Sequence, residues 1–281
     1  MFKYTLEMML VKTLMITNPP TVSVSSKLLE AFKKVNEKGI GRVIVEDNEI
    51  RGIISTRDLL NYVVERCEKG CDRGDIFALV DKDVKYVMTP NPVYVYENDD
   101  VLDALTLMVA RNFGSLPVVN EVKKVTGIVT EREMLLIFQD LDQLFSVKKF
   151  MTKRVTSVYE DVSVFDATKL MIKRGFRRLP VINESGEVVG IITAADSLKL
   201  LTKTILKNEP EMFFNKKVKE VATNEIYSID PEKSINEAAA TMLMKKIGSL
   251  LILDSKNRPL GIITERDLII ALHYQLHLKT S

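Results

Sequence analysis

Four stretches of the chain place a hydroxyl residue three positions before a carboxylate, directly after a glycine and two β-branched residues. They read GIISTRD from Gly52, GIVTERE from Gly127, GIITAAD from Gly190 and GIITERD from Gly261. A Ser or Thr with an acidic residue three positions later is a capping box, which stabilises a helix start by about 1 kcal/mol. An ionised carboxylate can instead accept hydrogen bonds from both hydroxyls of a ribose. The motif therefore has a structural and a ligand-binding interpretation.

An arginine precedes the carboxylate in three of the four stretches, where capping does not require one. A positive charge is unfavourable near a helix N-terminus, unless the free N–H groups there hold an anion. Arginine is also a planar, bidentate donor to phosphate. We therefore interpret the motif as binding a nucleotide. The candidate ribose carboxylates are Asp58, Glu133, Asp196 and Asp267, and the candidate hydroxyl and phosphate contacts are Ser55, Thr130, Thr193, Thr264, Arg57, Arg132 and Arg266.

A second group of arginines stands where β-branched runs begin. GFRRLPV contains Arg177 and Arg178, Arg42 takes the place of Arg178 in GIGRVIV, and the other two copies have Gly-Ser. These arginines are either a solvated basic corner or donors to a phosphate. On the second interpretation, the odd-numbered copies supply phosphate charge to sites shared with the even-numbered copies.

The motifs are the last of three landmarks that recur in one order, so the chain consists of four repeats. Each repeat opens near a methionine or its equivalent, at Met15, Met88, Met151 and Val221. Apolar residues at three- and four-residue spacing then predict a helix, and β-branched runs around a turn predict two strands. Each repeat is thus a β-α-β-β-α unit of roughly 60 residues. The predicted boundaries are 1–66, 82–143, 144–208 and 209–281, with a linker at 67–81.

Small and flexible residues recur inside the first predicted helix. Alanine occupies one position in every repeat, where it lets a helix lie close to a sheet, and methionine follows one turn later in three repeats, where we expect it to fill the core. These residues are Ala31, Ala104, Ala167 and Ala238, and Met108, Met171 and Met242.

The composition is that of a soluble globular protein, with 281 residues, 46% hydrophobic residues and 28% charged residues. The net charge of +2 gives no basic excess for nucleic acid. No apolar run approaches the roughly 20 residues of a membrane helix, and we expect a cytoplasmic protein. Cys67 and Cys71 are too few for a disulfide framework. We expect two reduced thiols in a linker, with a local disulfide as the alternative.

The third repeat closely resembles the cystathionine-β-synthase (CBS) domain family, with its Met-Thr opening, Leu-Pro-Val strand and Gly-Ile-Ile-Thr-x-x-Asp close. The resemblance covers nearly the whole chain, and four tandem copies are similar to stand-alone energy-sensing proteins and the gamma subunit of AMP-activated protein kinase. It implies an α/β (α+β) fold of four β-α-β-β-α repeats. These would pair into two Bateman modules, residues 1–143 and 144–281, that form a flat disc.

The resemblance also implies a ligand and a role. Adenine would lie along the strand after the opening landmark, read by the backbone at Val22, Val93, Thr156 and Tyr227. The protein would be a non-catalytic regulator that binds AMP, with ADP and ATP competing, and signals to a partner protein, as a monomer or a homodimer. We expect two or three usable sites, with repeat four carrying the best motif. The alternatives are a scaffold whose motifs only cap helices, and a binder of S-adenosylmethionine or nucleic acid.

Signatures of catalysis are missing from the sequence. It contains no P-loop, no glycine-rich dinucleotide motif and no Ser-His-Asp or Cys-His arrangement, so we expect no catalytic residue and no enzyme activity. His273 and His277 have the i, i+4 spacing that could share a metal ion, but no third ligand is evident nearby. We interpret them as a surface helix end and expect no metal site.

Overall fold

The computed structural model describes residues 9–278, with only the backbone of Asp140. Contacts divide these residues into two compact units. The even unit holds most of repeats two and four and comprises residues 9–18, Val93–Val155 and 227–278. The odd unit holds most of repeats one and three and comprises Pro19–Pro92 and Thr156–Ile226. The chain therefore passes between units inside the opening stretch of each repeat, and each unit combines alternate repeats, whereas the predicted modules combine consecutive ones.

Each repeat has one helix before and one after an antiparallel hairpin, as predicted. The first helices, α1, α4, α7 and α10, span Leu28–Lys34, Val101–Ala110, Val164–Arg174 and Ile235–Lys245. The closing helices, α2, α5, α8 and α11, span Thr56–Arg66, Glu131–Met134, Ala194–Leu206 and Glu265–Leu278. Connecting helices α3, α6 and α9 span Arg73–Val80, Val147–Phe150 and Met212–Asn215. Within residues 9–278, no helix is long and apolar enough to cross a membrane.

Single turns or short runs of 3-10 helix complete the helical structure. They lie at Val11–Thr13, Glu37–Gly39, Val84–Tyr86, Leu135–Asp140 and Val218–Glu220. The run at Leu135–Asp140 replaces most of the closing helix that the sequence predicts for repeat two. The Asn236 side-chain amide donates to the carbonyl oxygens of Phe138 and Leu141, both at 2.9 Å. This side chain from α10 therefore holds the tighter turn in place.

The hairpins supply the central strands of four small sheets. They are β3–β4 (Arg42–Asp47, Glu49–Ser55), β7–β8 (Ser115–Val119, Val125–Thr130), β10–β11 (Arg178–Ile182, Val188–Thr193) and β12–β13 (Ser249–Leu253, Pro259–Thr264). A short parallel strand lies beside each of the first three, namely β2 (Thr21–Val22), β6 (Val95–Tyr96) and β9 (Val158–Tyr159). In repeat four, a parallel bridge between Ser228 and Leu251 takes this place.

The opening segment of each repeat pairs with the hairpin of a neighbouring repeat. Strand β1 (Ile16–Thr17) of repeat one runs antiparallel to β8 of repeat two. Strand β5 (Thr89–Pro90) of repeat two runs antiparallel to β4 of repeat one. Single bridges give the same arrangement for repeats three and four, joining Thr152 to Ile262 and Thr223 to Ile191. Exchanged segments therefore link repeat one to repeat two and repeat three to repeat four.

The glycine that opens each closing motif is explained by these exchanged segments. A Cβ on Gly127 would lie 2.5 Å from Met15 Sδ, and a Cβ on Gly52 would lie 2.6 Å from Met88 Sδ. A Cβ on Gly261 would lie 3.1 Å from Met151 Sδ, and a Cβ on Gly190 would lie 3.0 Å from the Thr223 carbonyl oxygen. Glycine therefore leaves room for the exchanged segment, since a larger residue would require the methionine or, at Gly190, the backbone of Thr223 to shift.

Each unit has its own hydrophobic core, and the repeated small residues lie within it. All four alanines of the first helices are 0% exposed, and the three methionines that follow them are at most 1% exposed. These positions confirm that the alanines permit close packing and that the methionines fill the core.

The predicted reduced state of the two cysteines is wrong, because Cys67 and Cys71 form a disulfide. Their Cα atoms are 4.9 Å apart, inside the range that a disulfide spans. The chain turns back at Gly70, whose φ of 98° favours glycine, and this turn brings the cysteines together. The linker is also partly helical, since α3 lies within it.

Replacing Gly127 with alanine tests the packing of the exchanged segment. Gly127→Ala is expected to lower the free energy of unfolding by about 1–3 kcal/mol, as overpacking does. Met15→Ala removes the clashing side chain, so the double variant should lose less stability than the sum of the two single variants. Gly74→Ala in α3 is the control, because its Cβ would come near only the Asp72 carboxylate, at 3.2 Å, and alanine in a helix is favoured over glycine by roughly 0.5–1 kcal/mol. Urea unfolding measures the free energy of unfolding of these four variants against the original protein. A loss in the double variant equal to the sum of the two single losses would contradict the proposed contact.

Candidate functional site

All four motifs form the predicted capping hydrogen bonds. Asp196 Oδ2 accepts both the backbone N–H of Thr193, at 2.9 Å, and its hydroxyl, at 2.6 Å. Asp267 Oδ2 accepts the same two bonds from Thr264, at 2.8 and 2.7 Å. The pairs Ser55–Asp58 and Thr130–Glu133 repeat the arrangement. The structural interpretation of the motif is therefore correct in every repeat.

Capping uses only one oxygen of the carboxylate. In Asp58 and Asp196, both accepted bonds fall on Oδ2, and Oδ1 accepts none from the part of the chain that the structure describes. Both residues are half-buried. Helix capping and ligand binding are therefore compatible at these two residues, because each keeps an acceptor for a ligand hydroxyl.

The hairpin register places the second group of arginines opposite the capping hydroxyls. Arg42 pairs with Ser55 and Arg178 pairs with Thr193. Residues directly opposite each other in an antiparallel pair have Cβ atoms about 4.5–5.5 Å apart. The N–H of Ala194, the first residue of α8, also donates to the carbonyl oxygen of Arg177 at 2.9 Å. The odd unit thus places an arginine opposite the capping hydroxyl residue at the head of each closing helix.

The even unit has the same register without the arginines. Ser115 lies opposite Thr130, and Ser249 lies opposite Thr264. The sites of repeats two and four therefore have hydroxyls where those of repeats one and three have guanidinium groups.

The arginines that precede the carboxylates have partners within the protein. Arg132 Nε lies 2.7 Å from Glu265 Oε1, and Arg266 Nε lies 2.6 Å from Glu131 Oε1. The Arg266 and Glu131 side chains are 17% and 2% exposed, so this pair is buried, whereas Arg132 and Glu265 are 36% and 11% exposed, so the other pair is partly exposed. Capping does not require these arginines, but in repeats two and four the glutamates give them a structural role.

Two of the arginines that precede the carboxylates also donate hydrogen bonds to carbonyl oxygens at helix C-termini. Arg266 donates to the carbonyl oxygen of Met108 at 3.1 Å, and Arg57 donates to that of Ile172 at 3.2 Å. Both carbonyls lie in the last turns of first helices, where the helix dipole favours a positive charge. The unfavourable position of Arg57 and Arg266 near one helix N-terminus is offset by the C-terminus of another helix.

The sequence analysis missed the two glutamates of this reciprocal cluster. The available signal was the tripeptide Thr-Glu-Arg, which occurs in repeats two and four, whereas Thr56 and Ala194 replace the glutamate in repeats one and three. A difference between alternate repeats indicates a contact between alternate repeats, and Glu131 and Glu265 make that contact.

The second repeat has a less readily ionised carboxylate. Burial raises the pKa of Glu133 above its ordinary value, although the bonds from the Thr130 hydroxyl and backbone N–H act in the opposite direction. A protonated carboxyl group accepts hydrogen bonds less well than a carboxylate. Among the four candidate carboxylates, Glu133 is thus the weakest expected ribose acceptor.

The predicted adenine contact in repeat one is out of register with the others. Ile44 donates to the Pro20 carbonyl oxygen at 2.9 Å, and the equivalent Leu251 donates to the Tyr227 carbonyl oxygen at 3.0 Å. Pro20 is therefore the counterpart of Tyr227, whereas Val22 lies two residues further along and is 4% exposed. Pro20 lies five residues after Met15, just as Val93 and Thr156 lie five residues after Met88 and Met151. The predicted Val22 is therefore two residues too far along.

The residue that follows each candidate adenine contact turns its backbone N–H and C=O away from the neighbouring strand. The bonds from Leu251 to Tyr227 and from Ile229 to Leu251 lie on either side of Ser228. Since backbone direction alternates along a strand, the N–H and C=O of Ser228 point away from its neighbouring strand, and Ser157 has the same place in repeat three. In repeat one, the carbonyl oxygen of Thr21 accepts a bond from Lys34 Nζ at 2.9 Å. Repeats three and four therefore offer a strand edge to a ligand.

No cluster of three or more His, Cys, Asp or Glu residues able to hold a metal occurs in the described residues. The predicted pair His273 and His277 lies on α11, with its Nε2 atoms 2.9 Å apart.

Four tandem βαββα repeats with capped closing helices define an α/β repeat protein. The CBS domain family matches residues 11–65, 82–140, 147–202 and 218–274. Because these four stretches cover well over half of the sequence, the chain belongs to the CBS domain family.

Similar proteins extend over most of the chain. Protein MJ1225 of Methanocaldococcus jannaschii is 27% identical over 262 residues, which cover 89% of this chain and 93% of that protein. A 33.4 kDa protein from a ribosomal RNA operon of Thermofilum pendens is 26% identical over 267 residues, covering 90% and 88%. The crystal structure of MJ1225, described as a proposed archaeal homologue of the AMPK gamma subunit, gives a TM-score of 0.81 at 24% identity, covering 94% and 100%. The crystal structure of a Pyrococcus horikoshii protein gives a TM-score of 0.60 at 21% identity, covering 94% of this chain and 100% of that chain.

A double-mutant cycle tests the buried ion pair. Arg266→Met alone is expected to lower the free energy of unfolding by about 3 kcal/mol, because it leaves the buried Glu131 without its charge partner. Adding Glu131→Gln should restore most of that loss. Lys148→Met is the control, since the Lys148–Glu232 pair is 60% and 68% exposed and such pairs contribute about 0–1 kcal/mol. A coupling energy near zero between Arg266 and Glu131, measured by urea unfolding, would contradict the buried pair.

The raised pKa of Glu133 predicts a pH-dependent stability. The folded state holds the proton of the Glu133 carboxyl group more tightly than the unfolded state does. This proton therefore contributes to the free energy of unfolding below pH 4.5, the ordinary pKa, and the contribution is lost as the pH rises through the pKa of the folded state. Glu133→Gln does not titrate, so it should gain stability relative to the original protein as the pH rises from about 4 to about 7. Urea unfolding across that range measures the difference, and a constant difference would rule out the effect.

Proposed function

We propose that the chain is a non-catalytic regulatory protein that binds adenine nucleotides, with AMP preferred and ADP and ATP competing, and signals the bound state to a partner protein. The observation that carries this proposal is the capping carboxylate that keeps an unused oxygen beside an arginine, at Asp58 and at Asp196. A scaffold whose motifs only cap helices requires neither the unused oxygen nor the arginine opposite.

Each part of a nucleotide has a candidate contact in repeat three. The ribose hydroxyls would donate to Asp196 Oδ1, which can accept two hydrogen bonds. The phosphate would be held by Arg178, which lies opposite Thr193, and by the adjacent Arg177. The adenine edge would meet the outward backbone groups near Thr156 and Ser157, which can donate to and accept from a base.

The repeats should differ as sites. Repeats one and three combine the carboxylate with Arg42 and with Arg177 and Arg178. In repeats two and four, Arg132 and Arg266 are paired with glutamates, and serines lie opposite the capping hydroxyls. We assign the strongest phosphate binding to the odd unit, because arginines lie opposite its capping hydroxyls, and we keep Asp267 as a ribose contact.

The relatives support a regulatory assignment. CBS domain proteins generally regulate, and MJ1225, which matches 89% of this chain, is described as a proposed homologue of the gamma subunit of AMP-activated protein kinase. In repeats two and four, a second ligand class has its own support, because Ser115 and Ser249 replace the arginines. S-adenosylmethionine has the adenosine group without a phosphate, so it suits these two sites better than AMP does.

A matched pair of variants separates nucleotide binding from helix capping. Asp196→Asn is expected to weaken AMP binding at one site about tenfold or more, because it removes a charged acceptor of the ribose hydroxyls. Asp166→Asn is the control, since Asp166 caps α7 in the same repeat through a bond from the Ser163 hydroxyl at 2.6 Å. Isothermal titration calorimetry with AMP, ATP, S-adenosylmethionine and 2′-deoxy-AMP measures binding, and thermal unfolding measures stability.

The two interpretations give different results in this experiment. If Asp196 binds the nucleotide, both variants lose stability, only Asp196→Asn loses affinity for AMP, and the preference for AMP over 2′-deoxy-AMP shrinks in that variant. If the motif only caps the helix, neither variant changes the affinity for any ligand. Unaltered AMP affinity in Asp196→Asn would overturn the assignment of Asp196, and no binding of any adenosine ligand at millimolar concentration would overturn the proposed function.

A further inference from the structure

The closing helix of repeat four carries two histidines that the nucleotide proposal does not use. His273 and His277 are four residues apart on α11 and therefore lie on the same helix face. Their Nε2 atoms are 2.9 Å apart, and the ring centroids are 4.2 Å apart. His273 is half-buried and His277 is exposed, so the pair is open to solvent on one side. Two imidazole nitrogens thus converge on one accessible point.

Such a convergence is close to the geometry of a metal chelate. Zinc–nitrogen bonds are about 2.0–2.1 Å long, so two nitrogens on one ion lie about 2.9 Å apart at a right angle and about 3.3 Å apart at the tetrahedral angle that zinc prefers. We propose that His273 and His277 chelate one divalent transition metal ion, Zn²⁺, Ni²⁺ or Cu²⁺, through their Nε2 atoms. The helix already holds the two ligands at nearly the required separation, so little rearrangement is needed.

Proton positions are consistent with metal binding. In the metal-free pair, one Nε2–H donates to the other Nε2, so one ring already presents a lone pair. When the ion binds, the donor ring shifts its proton to Nδ1, and both Nε2 lone pairs face the metal without net loss of a proton from the neutral pair.

The ligand set defines the class of metal. Imidazole nitrogen suits Zn²⁺, Ni²⁺ and Cu²⁺, whereas Ca²⁺ and Mg²⁺ need several oxygen ligands. Over residues 9–278, no third His, Cys, Asp or Glu joins the pair. By mass action, an ion bound by both rings would stabilise the last turns of α11.

Metal titration of the full-length chain, without an added histidine tag, tests the site. Calorimetry with Zn²⁺ and with Ni²⁺ should show one strong binding event per chain. Electron paramagnetic resonance of the Cu²⁺ form should show two equivalent nitrogen ligands. His273→Ala and His277→Ala should each weaken binding about tenfold or more, since each leaves a single imidazole. Both side chains lie on the accessible face of α11, and circular dichroism checks that each variant remains folded.

A spacing control separates a chelate from two independent histidines. The double variant His277→Ala with Leu278→His keeps two histidines but places the second about 100° further around the helix. It should bind as weakly as His277→Ala alone. Binding equal to the original protein in this control or in either single variant would overturn the proposal, as would no binding of the three metals at millimolar concentration.

Discussion

Two hydrogen bonds from one serine or threonine to one carboxylate oxygen set the start of every closing helix. The hydroxyl residue ends a hairpin strand, so these bonds fix the helix relative to the strand and relative to the residue opposite it in the hairpin. In repeats one and three, that opposite residue is an arginine, Arg42 or Arg178. Since the second carboxylate oxygen is not needed for the cap, one short motif can shape the fold and also serve a ligand.

The glycine of the same motif has a separate cause. At Gly52 and Gly127, the methionine of an exchanged opening segment lies where a side chain would stand. The motif therefore combines a packing requirement at its first residue with a capping requirement at its end. Because consecutive repeats exchange these segments, a change at one glycine affects the joining of two repeats.

Much of the fold was predictable because its causes are local in sequence. Apolar spacing marked the helices, and the capping boxes marked where the closing helices begin. The exchange of segments was not predictable, because the hairpins of neighbouring repeats offer nearly the same sequence as a pairing edge. The partners of Arg132 and Arg266 lie more than a hundred residues away, so no local pattern reveals them. The adenine position of repeat one could have been predicted as Pro20, because it lies five residues after Met15, as Val93 lies five residues after Met88.

The central claim is that a capping carboxylate also holds a ribose. A crystal structure of the chain grown with AMP tests it most directly. The account predicts a ribose hydroxyl within hydrogen-bond distance of Oδ1 of Asp58 or Asp196, with the bonds from Ser55 or Thr193 to Oδ2 retained and the phosphate near Arg42 or Arg178. Capping carboxylates that contact only water in every repeat, in crystals soaked with AMP at millimolar concentration, would contradict it.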